Sequence, residues 1–194
     1  MVLEIFGGVG SGKSLVLEIL REQYGAEVIG MDETAHRLYE PGQPGHRAVT
    51  SLLGDEVVRP DGTLDRQKMA GILYRDQEAM QALEKVIHPL VYQEVEREVR
   101  EAAERCGLVV VETALPEKTK SDIYDELWYV YTPEQIREER LMESRGYTRE
   151  RVREIMSRQL PEEAFRDMAD WVLVNDSTKE VLEERIRERL TEKL

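Results

Sequence analysis

GGVGSGKS, at positions 7 to 14, is the stretch that decides the fold. It follows the apolar run VLEIF and precedes an apolar helical pattern that begins at Leu15. The stretch fits the motif G-x-x-x-x-G-K-S, and a strand before it and a helix after it are the setting of a phosphate-binding loop. A glycine-rich turn without a ligand is the alternative reading of the same residues.

The residue types of this loop suit the phosphates of a nucleotide. Glycines let successive backbone N–H groups converge on phosphate oxygens, and the following helix adds the partial positive charge of its N-terminus. Lys13 can reach the β- and γ-phosphates, and Ser14 can ligate Mg²⁺. We therefore predict that ATP or GTP binds the loop residues Gly8, Gly10, Ser11, Gly12, Lys13, Ser14 and Leu15.

Apolar, β-prone runs alternate with helical segments along the whole chain. The runs are Val2 to Phe6, Glu27 to Gly30, Leu108 to Glu112, Leu127 to Tyr131 and Trp171 to Val174. Such alternation is typical of an α/β fold with a parallel sheet. We predict one domain of the P-loop NTPase type, in which helices flank a five-stranded parallel sheet.

The predicted domain covers residues 1–194, and two helical excursions interrupt its core. The core comprises about residues 1–31, 107–132 and 171–194. Residues 32–106 are too many for one crossover helix and predict a helical substrate-binding insertion. Residues 133–170 are helical and rich in arginine, and we interpret them as a lid.

Composition limits the partners of the chain. The formal net charge is -13, with 27 basic and 40 acidic residues, which argues against nucleic acid or an anionic membrane surface as a general partner. Cys106 is the only cysteine of the sequence and indicates a reducing compartment. The sequence has neither a signal-peptide pattern nor an apolar run of about 18 residues. We expect a soluble cytoplasmic protein, as a monomer or small homo-oligomer.

Two carboxylates stand near the predicted carboxyl ends of strands, where open α/β sheets carry their chemistry. Asp32 can accept a proton from an acceptor hydroxyl or bind Mg²⁺ through water. It is equally well explained as the N-cap of a helix that begins near Glu33. Glu112, at the end of the third strand, is the second candidate for binding Mg²⁺ or positioning water.

Cations for a transferring phosphate are available in the lid. Arg137, Arg140 and Arg145 can close over a γ-phosphate and stabilise its charge, and Arg140 is the favoured candidate. The alternative is that they are solvated i,i+4 partners on a glutamate-rich helix. Thr132 and Gln135 have the spacing of a capping box and predict the start of that helix.

His88 stands immediately before Pro89 in a region of helical pattern. A residue before proline ordinarily marks a helix boundary. A role of the imidazole in a binding site is the alternative.

The order of motifs resembles that of the dephospho-CoA kinase family. The phosphate loop is common to many kinases, but its combination with DGTLDR, HP and AD-x-V-x-x-N in this order is much more specific. The matching segments are GGVGSGKS, VIGMDETAH, PGQPG, DGTLDRQKM, LEKVIHPLV, DELWYVYTPEQ, RLMESRG, RQLPEE and ADWVLVN.

The resemblance implies transfer of the γ-phosphate of ATP to the ribose 3′-hydroxyl of dephospho-CoA, with Mg²⁺, in the last step of coenzyme A biosynthesis. It implies that residues 32–106 bind the CoA moiety. Asp32, at the second aspartate of the family's V-I-D-A-D-x-x-A, becomes the general base, and Arg140 and Lys13 become contacts to the transferring phosphate. The implied acceptor site contains Asp32, His88, Pro89 and Arg66.

The chain departs from the family pattern at three places. Gly30 replaces the first aspartate of the pair, so that any shared role falls to Asp32 alone. The family's P-L-L-F-E appears as the altered stretch from Thr113 to Glu117. Ser144 stands where an arginine is common, and Arg145 follows it.

Two other functions fit the same motifs. The first is another small P-loop kinase whose acceptor is a nucleoside or metabolite. The second is a nucleotide-binding regulator that has lost phosphate transfer. Gly30 and the altered stretch favour this function, whereas the retained Lys13, Ser14 and Asp32 argue against it.

Overall fold

A computed structural model of the protein describes residues 1–114 and 122–193. Across these residues, five parallel strands form one sheet in the order β2-β3-β1-β4-β5. The strands are β1 Val2–Phe6, β2 Glu27–Gly30, β3 Val109–Glu112, β4 Glu126–Tyr131 and β5 Trp171–Val174. The predicted parallel sheet is confirmed, and its predicted strand bounds differ by at most one residue at the start of β3 and β4.

Helices alternate with the strands as predicted except between β3 and β4, where the described residues contain no helix. They are α1 Lys13–Tyr24, α2 Met31–Leu38, α3 Pro44–Leu53, α4 Arg66–Arg75, α5 Gln77–Ala103, α6 Glu134–Arg145, α7 Arg149–Ser157, α8 Glu162–Met168 and α9 Lys179–Thr191. A short 3₁₀ helix lies at Asp55–Val57. Contacts divide the chain into two compact units, Met1–Val28 with Ala102–Leu194 and Ile29–Glu101.

The first unit contains the phosphate loop and the lid helices. Strand β1 lies between β3 and β4, with Leu3 paired to Val110 on one side and to Glu126 on the other. Its side chains Leu3, Ile5 and Phe6 are fully buried because helices cover both faces of a parallel sheet. Helices α1 and α9 supply buried residues to one core cluster that also contains Leu3.

An aromatic stack fills the other side of β1. The rings of Phe6 and Tyr129 are 5.8 Å apart between centroids, and those of Tyr129 and Phe165 are 5.3 Å apart. Phe165 belongs to α8, which follows the lid helices α6 and α7. The stack therefore joins the end of β1, where the phosphate loop begins, to α8, the last helix of the predicted lid.

The second unit is built mainly from helices α2 to α5. Helix α5 continues through Pro89, so the helix boundary expected at His88 is wrong. Proline removes one backbone donor, but the helix buries apolar side chains on both sides of this point, and that packing outweighs the local cost. These buried residues recur every four positions, at Leu83, Ile87, Val91, Val95 and Val99.

Candidate functional site

The phosphate loop leaves the first turn of α1 open to an anion. Helix α1 begins at Lys13, and its N-cap Gly12 adopts a φ of 85°, in the left-handed region. No side chain caps this end, and its first turn carries no acidic residue. The N–H groups of the turn and the helix dipole therefore favour a negatively charged ligand, as the sequence predicts.

Lys13 and Ser14 differ in their surroundings. The ammonium of Lys13 donates a hydrogen bond to the carbonyl oxygen of Gly7 at 2.8 Å, so this side chain folds back over the loop. Ser14 is exposed in the first turn of α1. Because Mg²⁺ in kinases takes one or two protein ligands together with substrate phosphates, an exposed hydroxyl at this place suits it. The described residues contain no cluster of three or more His, Cys, Asp or Glu that could hold a metal without a nucleotide.

Thr132 and Asn175 hold the loop from the carboxyl edge of the sheet. The hydroxyl of Thr132 is 2.9 Å from the carbonyl oxygen of Ser11 and 2.8 Å from that of Asn175. The amide of Asn175 also donates to the Ser11 carbonyl, at 2.8 Å. Both side chains are buried. The Ser11 carbonyl is therefore held toward Thr132 and Asn175.

The sequence did not predict the contacts of Thr132 and Asn175 with the phosphate loop. The predicted capping box at Thr132 is wrong, because the N-cap of α6 is Pro133. The Thr132 hydroxyl contacts the Ser11 carbonyl oxygen of the phosphate loop instead. Asn175 ends the motif AD-x-V-x-x-N and follows β5 directly, but no role was predicted for it. The rule that singled out Asp32 and Glu112, a polar side chain just past a strand, would have found it.

Two arginines of α6 reach the loop. The guanidinium of Arg140 donates to the Thr132 hydroxyl at 3.4 Å and lies 3.5 Å from where a Cβ on Gly12 would be. Arg137 donates to the carbonyl oxygen of Val9 at 2.8 Å. By contrast, Arg145 is exposed at the end of α6. Of the three predicted lid cations, the structure thus brings Arg137 and Arg140 to the loop.

Asp32 lies in the second unit, in the first turn of α2. The N-cap of this helix is Gly30, so the explanation of Asp32 as an N-cap is wrong. Helix α2 begins earlier than expected, because Met31 is already helical and packs its side chain into the interior. The Asp32 carboxylate is exposed to solvent, and the helix dipole favours its negative charge. An exposed carboxylate in this place is accessible to an acceptor hydroxyl.

Arg66 and His36 lie on the same side of α2 as Asp32. His36 follows Asp32 by one helical turn, and Arg66 donates to its Nε2 at 3.2 Å. Burial raises the pKa of Tyr39, and the charge of Arg66 opposes that rise. By its hydrogen bond, the Arg66 guanidinium is held beside His36, one helical turn after Asp32 on α2.

Arg66 owes its place to the start of α4. The carboxylate of Asp65 is the N-cap and accepts hydrogen bonds from the backbone N–H groups of Gln67 and Lys68. Asp65 thereby fixes Arg66 as the first residue of the helix. His88 and Pro89, the other predicted acceptor contacts, are exposed in the middle of α5 in the same unit.

The departures from the family pattern have structural counterparts. At Gly30, a Cβ would lie 3.2 Å from a carboxylate oxygen of Glu33, which takes up the adjacent space. Glu112 is half-buried at the end of β3, opposite Ile5 of β1. Of the altered stretch from Thr113 to Glu117, residues 115–117 lie outside the described residues.

A sequence model of the dephospho-CoA kinase family matches residues 1–180. The chain belongs to this family. It is 36% identical over 186 residues to a dephospho-CoA kinase from Methylococcus capsulatus, covering 96% of this chain and 93% of the relative. It is 31% identical over 183 residues to one from Shouchella clausii, covering 93% and 92% of the two chains. The family inferred from the sequence is thus confirmed.

Solved structures agree with the fold of this dephospho-CoA kinase family member. A crystal structure from Thermus thermophilus has a TM-score of 0.80 at 33% identity and covers 100% of this chain and 98% of its own. A dephospho-CoA kinase from Campylobacter jejuni has a TM-score of 0.71 at 19% identity, with 98% and 96% coverage, and supports the fold alone. Among the described residues, no helix has the length and apolar character to cross a membrane.

Proposed function

We propose that this family member transfers the γ-phosphate of ATP to the ribose 3′-hydroxyl of dephospho-CoA and so completes coenzyme A. The observation that carries the proposal is a family match along residues 1–180 in a chain whose phosphate loop is intact. The match supports the acceptor, and the open first turn of α1 supports the use of a nucleoside triphosphate.

The first unit handles the nucleotide. Loop amides and Lys13 bind the β- and γ-phosphates, and Arg140 stabilises the charge that spreads over the transferring group. Ser14 would hold Mg²⁺, which supplies further neutralisation of the phosphates when bound. We propose residues 133–170 as the lid that excludes water from this transfer, because this segment carries the arginines that contact the loop.

The insertion of residues 32–106 binds the acceptor. Asp32 accepts the proton of the ribose 3′-hydroxyl, for which its exposed carboxylate is suited. Arg66 offers a guanidinium to the acidic groups of dephospho-CoA, and its contact with His36 holds it on the side of α2 that carries Asp32. His88 and Pro89 belong to the same acceptor surface.

The setting of the enzyme is a further part of the proposal. A single cysteine and a net charge of -13 support a cytoplasmic protein whose partner is a small molecule rather than nucleic acid or a membrane. We propose a monomer or small homo-oligomer with ATP as the phosphate donor.

The test is release of ADP with Mg²⁺, ATP and dephospho-CoA, with Lys13→Ala as the inactive reference. The proposal predicts release that depends on the acceptor, is absent in the variant and falls when dephospho-CoA is replaced by nucleosides. Equal release with a nucleoside acceptor would favour a different small-molecule kinase. Tight ATP binding without release, unchanged by Asp32→Ala, would indicate a regulator.

A further inference from the structure

A ring of hydrogen bonds ties the lid to Val9 at the tip of the phosphate loop. The Val9 N–H donates to the side-chain oxygen of Gln159 at 3.1 Å. The Nε of Arg137 donates to the Val9 carbonyl oxygen at 2.8 Å, and its Nη2 donates to the same Gln159 oxygen at 2.8 Å. Arg137 belongs to α6 and Gln159 follows α7, so the ring joins two parts of the lid to one loop residue.

The ring determines the direction of the next backbone donor. The peptide between Val9 and Gly10 is trans, since the described residues contain no cis peptide. In a planar trans peptide the carbonyl and the N–H point in opposite directions. Because the Val9 carbonyl points toward Arg137, the Gly10 N–H points away from the lid. No described residue accepts a hydrogen bond from this N–H, which leaves it available to a phosphate.

Burial of the Arg137 side chain costs free energy, and its hydrogen bond to the loop offsets that cost. Its side chain is half-buried, and this burial lowers the pKa of the guanidinium. The ion pairs of the described residues include none with Arg137, whereas Arg151 and Arg158 of the lid both pair with Glu154. Withdrawing a cation from water without a carboxylate in contact is unfavourable. The charges of Glu134 and Glu162 oppose the effect of burial on the Arg137 pKa, but burial is the larger effect. Gly8 leaves the space that the Arg137 guanidinium occupies, since a Cβ at Gly8 would lie 2.6 Å from the Arg137 Cζ.

We propose that Arg137 and Gln159 are positioning residues that hold the Val9–Gly10 peptide so that the Gly10 N–H donates to the terminal phosphates of bound ATP. The inference rests on the proposed function, because it places a nucleoside triphosphate at the loop. The lid arginine acts through the backbone and does not touch the phosphate. Lid position and phosphate recognition are thereby coupled, since displacing the lid frees the peptide to rotate.

The expected effect is mainly on kcat. A preorganised donor aimed at oxygen atoms that gain charge in the transition state is worth about 10²-fold to 10³-fold when removed outright. A peptide that is released but can still sample the correct orientation loses less, so we expect kcat to fall by about 10-fold to 100-fold in Arg137→Ala and Gln159→Leu. The other loop amides and Lys13 remain, so we expect KM for ATP to change by less than about threefold.

Two variants separate positioning from folding. Gln159→Glu keeps an oxygen that can accept both hydrogen bonds, and we expect it to retain most of the activity that Gln159→Leu loses. Arg158→Ala removes an exposed lid arginine next to Gln159 and is the matched control for charge. Equal kcat in Gln159→Leu, Arg137→Ala and Arg158→Ala would overturn the proposal, as would a fall in thermal stability that leaves kcat unchanged.

A direct readout of the donor needs no acceptor. Val9–Gly10 is the one Val-Gly dipeptide of the sequence, so labelling valine with ¹³C at the carbonyl and glycine with ¹⁵N isolates the Gly10 amide in an NMR spectrum. With a non-hydrolysable ATP analogue and Mg²⁺, the amide proton should shift downfield in wild type and Arg158→Ala and not in Gln159→Leu. The same shift in all three would overturn the proposal. If the wild type binds no analogue, both this inference and the proposed function fail, whereas a normal shift without turnover of dephospho-CoA contradicts only the proposed function.

Discussion

Removing the two buried donors to the Ser11 carbonyl should reveal that they substitute for each other. The variants are Thr132→Val, which keeps the shape of the side chain, Asn175→Ala, and the two combined. In the wild type the Ser11 carbonyl oxygen lies 2.9 Å from the Thr132 hydroxyl and 2.8 Å from the Asn175 amide nitrogen. Ser11 is only 1% exposed, so water cannot replace a lost donor easily.

The magnitudes follow from counting donors. Each single variant leaves the Ser11 carbonyl with one partner, and the loss of one net hydrogen bond is worth about 1 kcal/mol of the free energy of unfolding. Thr132→Val also removes the hydroxyl from the carbonyl oxygen of Asn175, but this loss occurs with or without Asn175→Ala and therefore cancels in the cycle. Asn175→Ala adds a small term for the lost volume. The double variant leaves a buried carbonyl without any donor, which costs about 1–3 kcal/mol in addition. The two changes should therefore be more costly together than the sum of the singles, by about 1–2 kcal/mol.

Urea unfolding of the four nucleotide-free proteins measures this coupling. A two-state fit gives the free energy of unfolding for each protein, and the double-mutant cycle gives the interaction term. The account predicts a coupling of at least about 1 kcal/mol. Additive effects within about 0.3 kcal/mol would refute the reasoning, because they would mean that the two donors do not share the Ser11 carbonyl.

Three further predictions concern other parts of the chain. Asp32→Asn should lower kcat by about 10²-fold to 10⁴-fold without changing the urea midpoint, because the proposed role of this exposed carboxylate is that of a base; a lower midpoint with normal kcat would contradict this. Gly8→Ala should displace Arg137, whose Cζ lies 2.6 Å from the new Cβ, and should reproduce the kcat loss of Arg137→Ala in steady-state assays. Burial tends to raise the pKa of the Glu126 carboxyl, but hydrogen bonds from Lys193 and Trp128 outweigh it and hold the pKa below 4.5. The stabilisation of the folded state by the ionised Glu126 is therefore complete above that pH and is lost as the pH falls below it. The difference in stability between wild type and Glu126→Gln, measured by thermal unfolding, should shrink on acidification.

The parts predicted correctly are those that local pattern determines. The strand bounds and the phosphate loop between β1 and α1 follow from short runs of residue types whose geometry is decided within a few positions. The family motifs added the acceptor residues by position. Their roles stay predictions until the variants are assayed.

The parts that were missed depend on distant contacts. Thr132 has the spacing of a capping residue, but its hydroxyl meets a carbonyl 121 positions earlier in the chain, and burial at the edge of the sheet decides between the two uses. Pro89 reads as a helix end because its local cost is visible in the sequence, whereas the packing that offsets it is not. Arg137 is a predicted cation of the lid, but its hydrogen bond to the Val9 carbonyl, 128 positions away, cannot be predicted from local pattern.

Identification of the phosphorylated product tests the central claim most directly. Dephospho-CoA, ATP and Mg²⁺ are incubated with wild type and with Lys13→Ala, and the acceptor is analysed by mass spectrometry and ³¹P NMR. The account predicts coenzyme A with a new phosphate on the ribose 3′-oxygen, formed in equal amount to ADP, and none with the variant. ADP formed without any change in dephospho-CoA would contradict it.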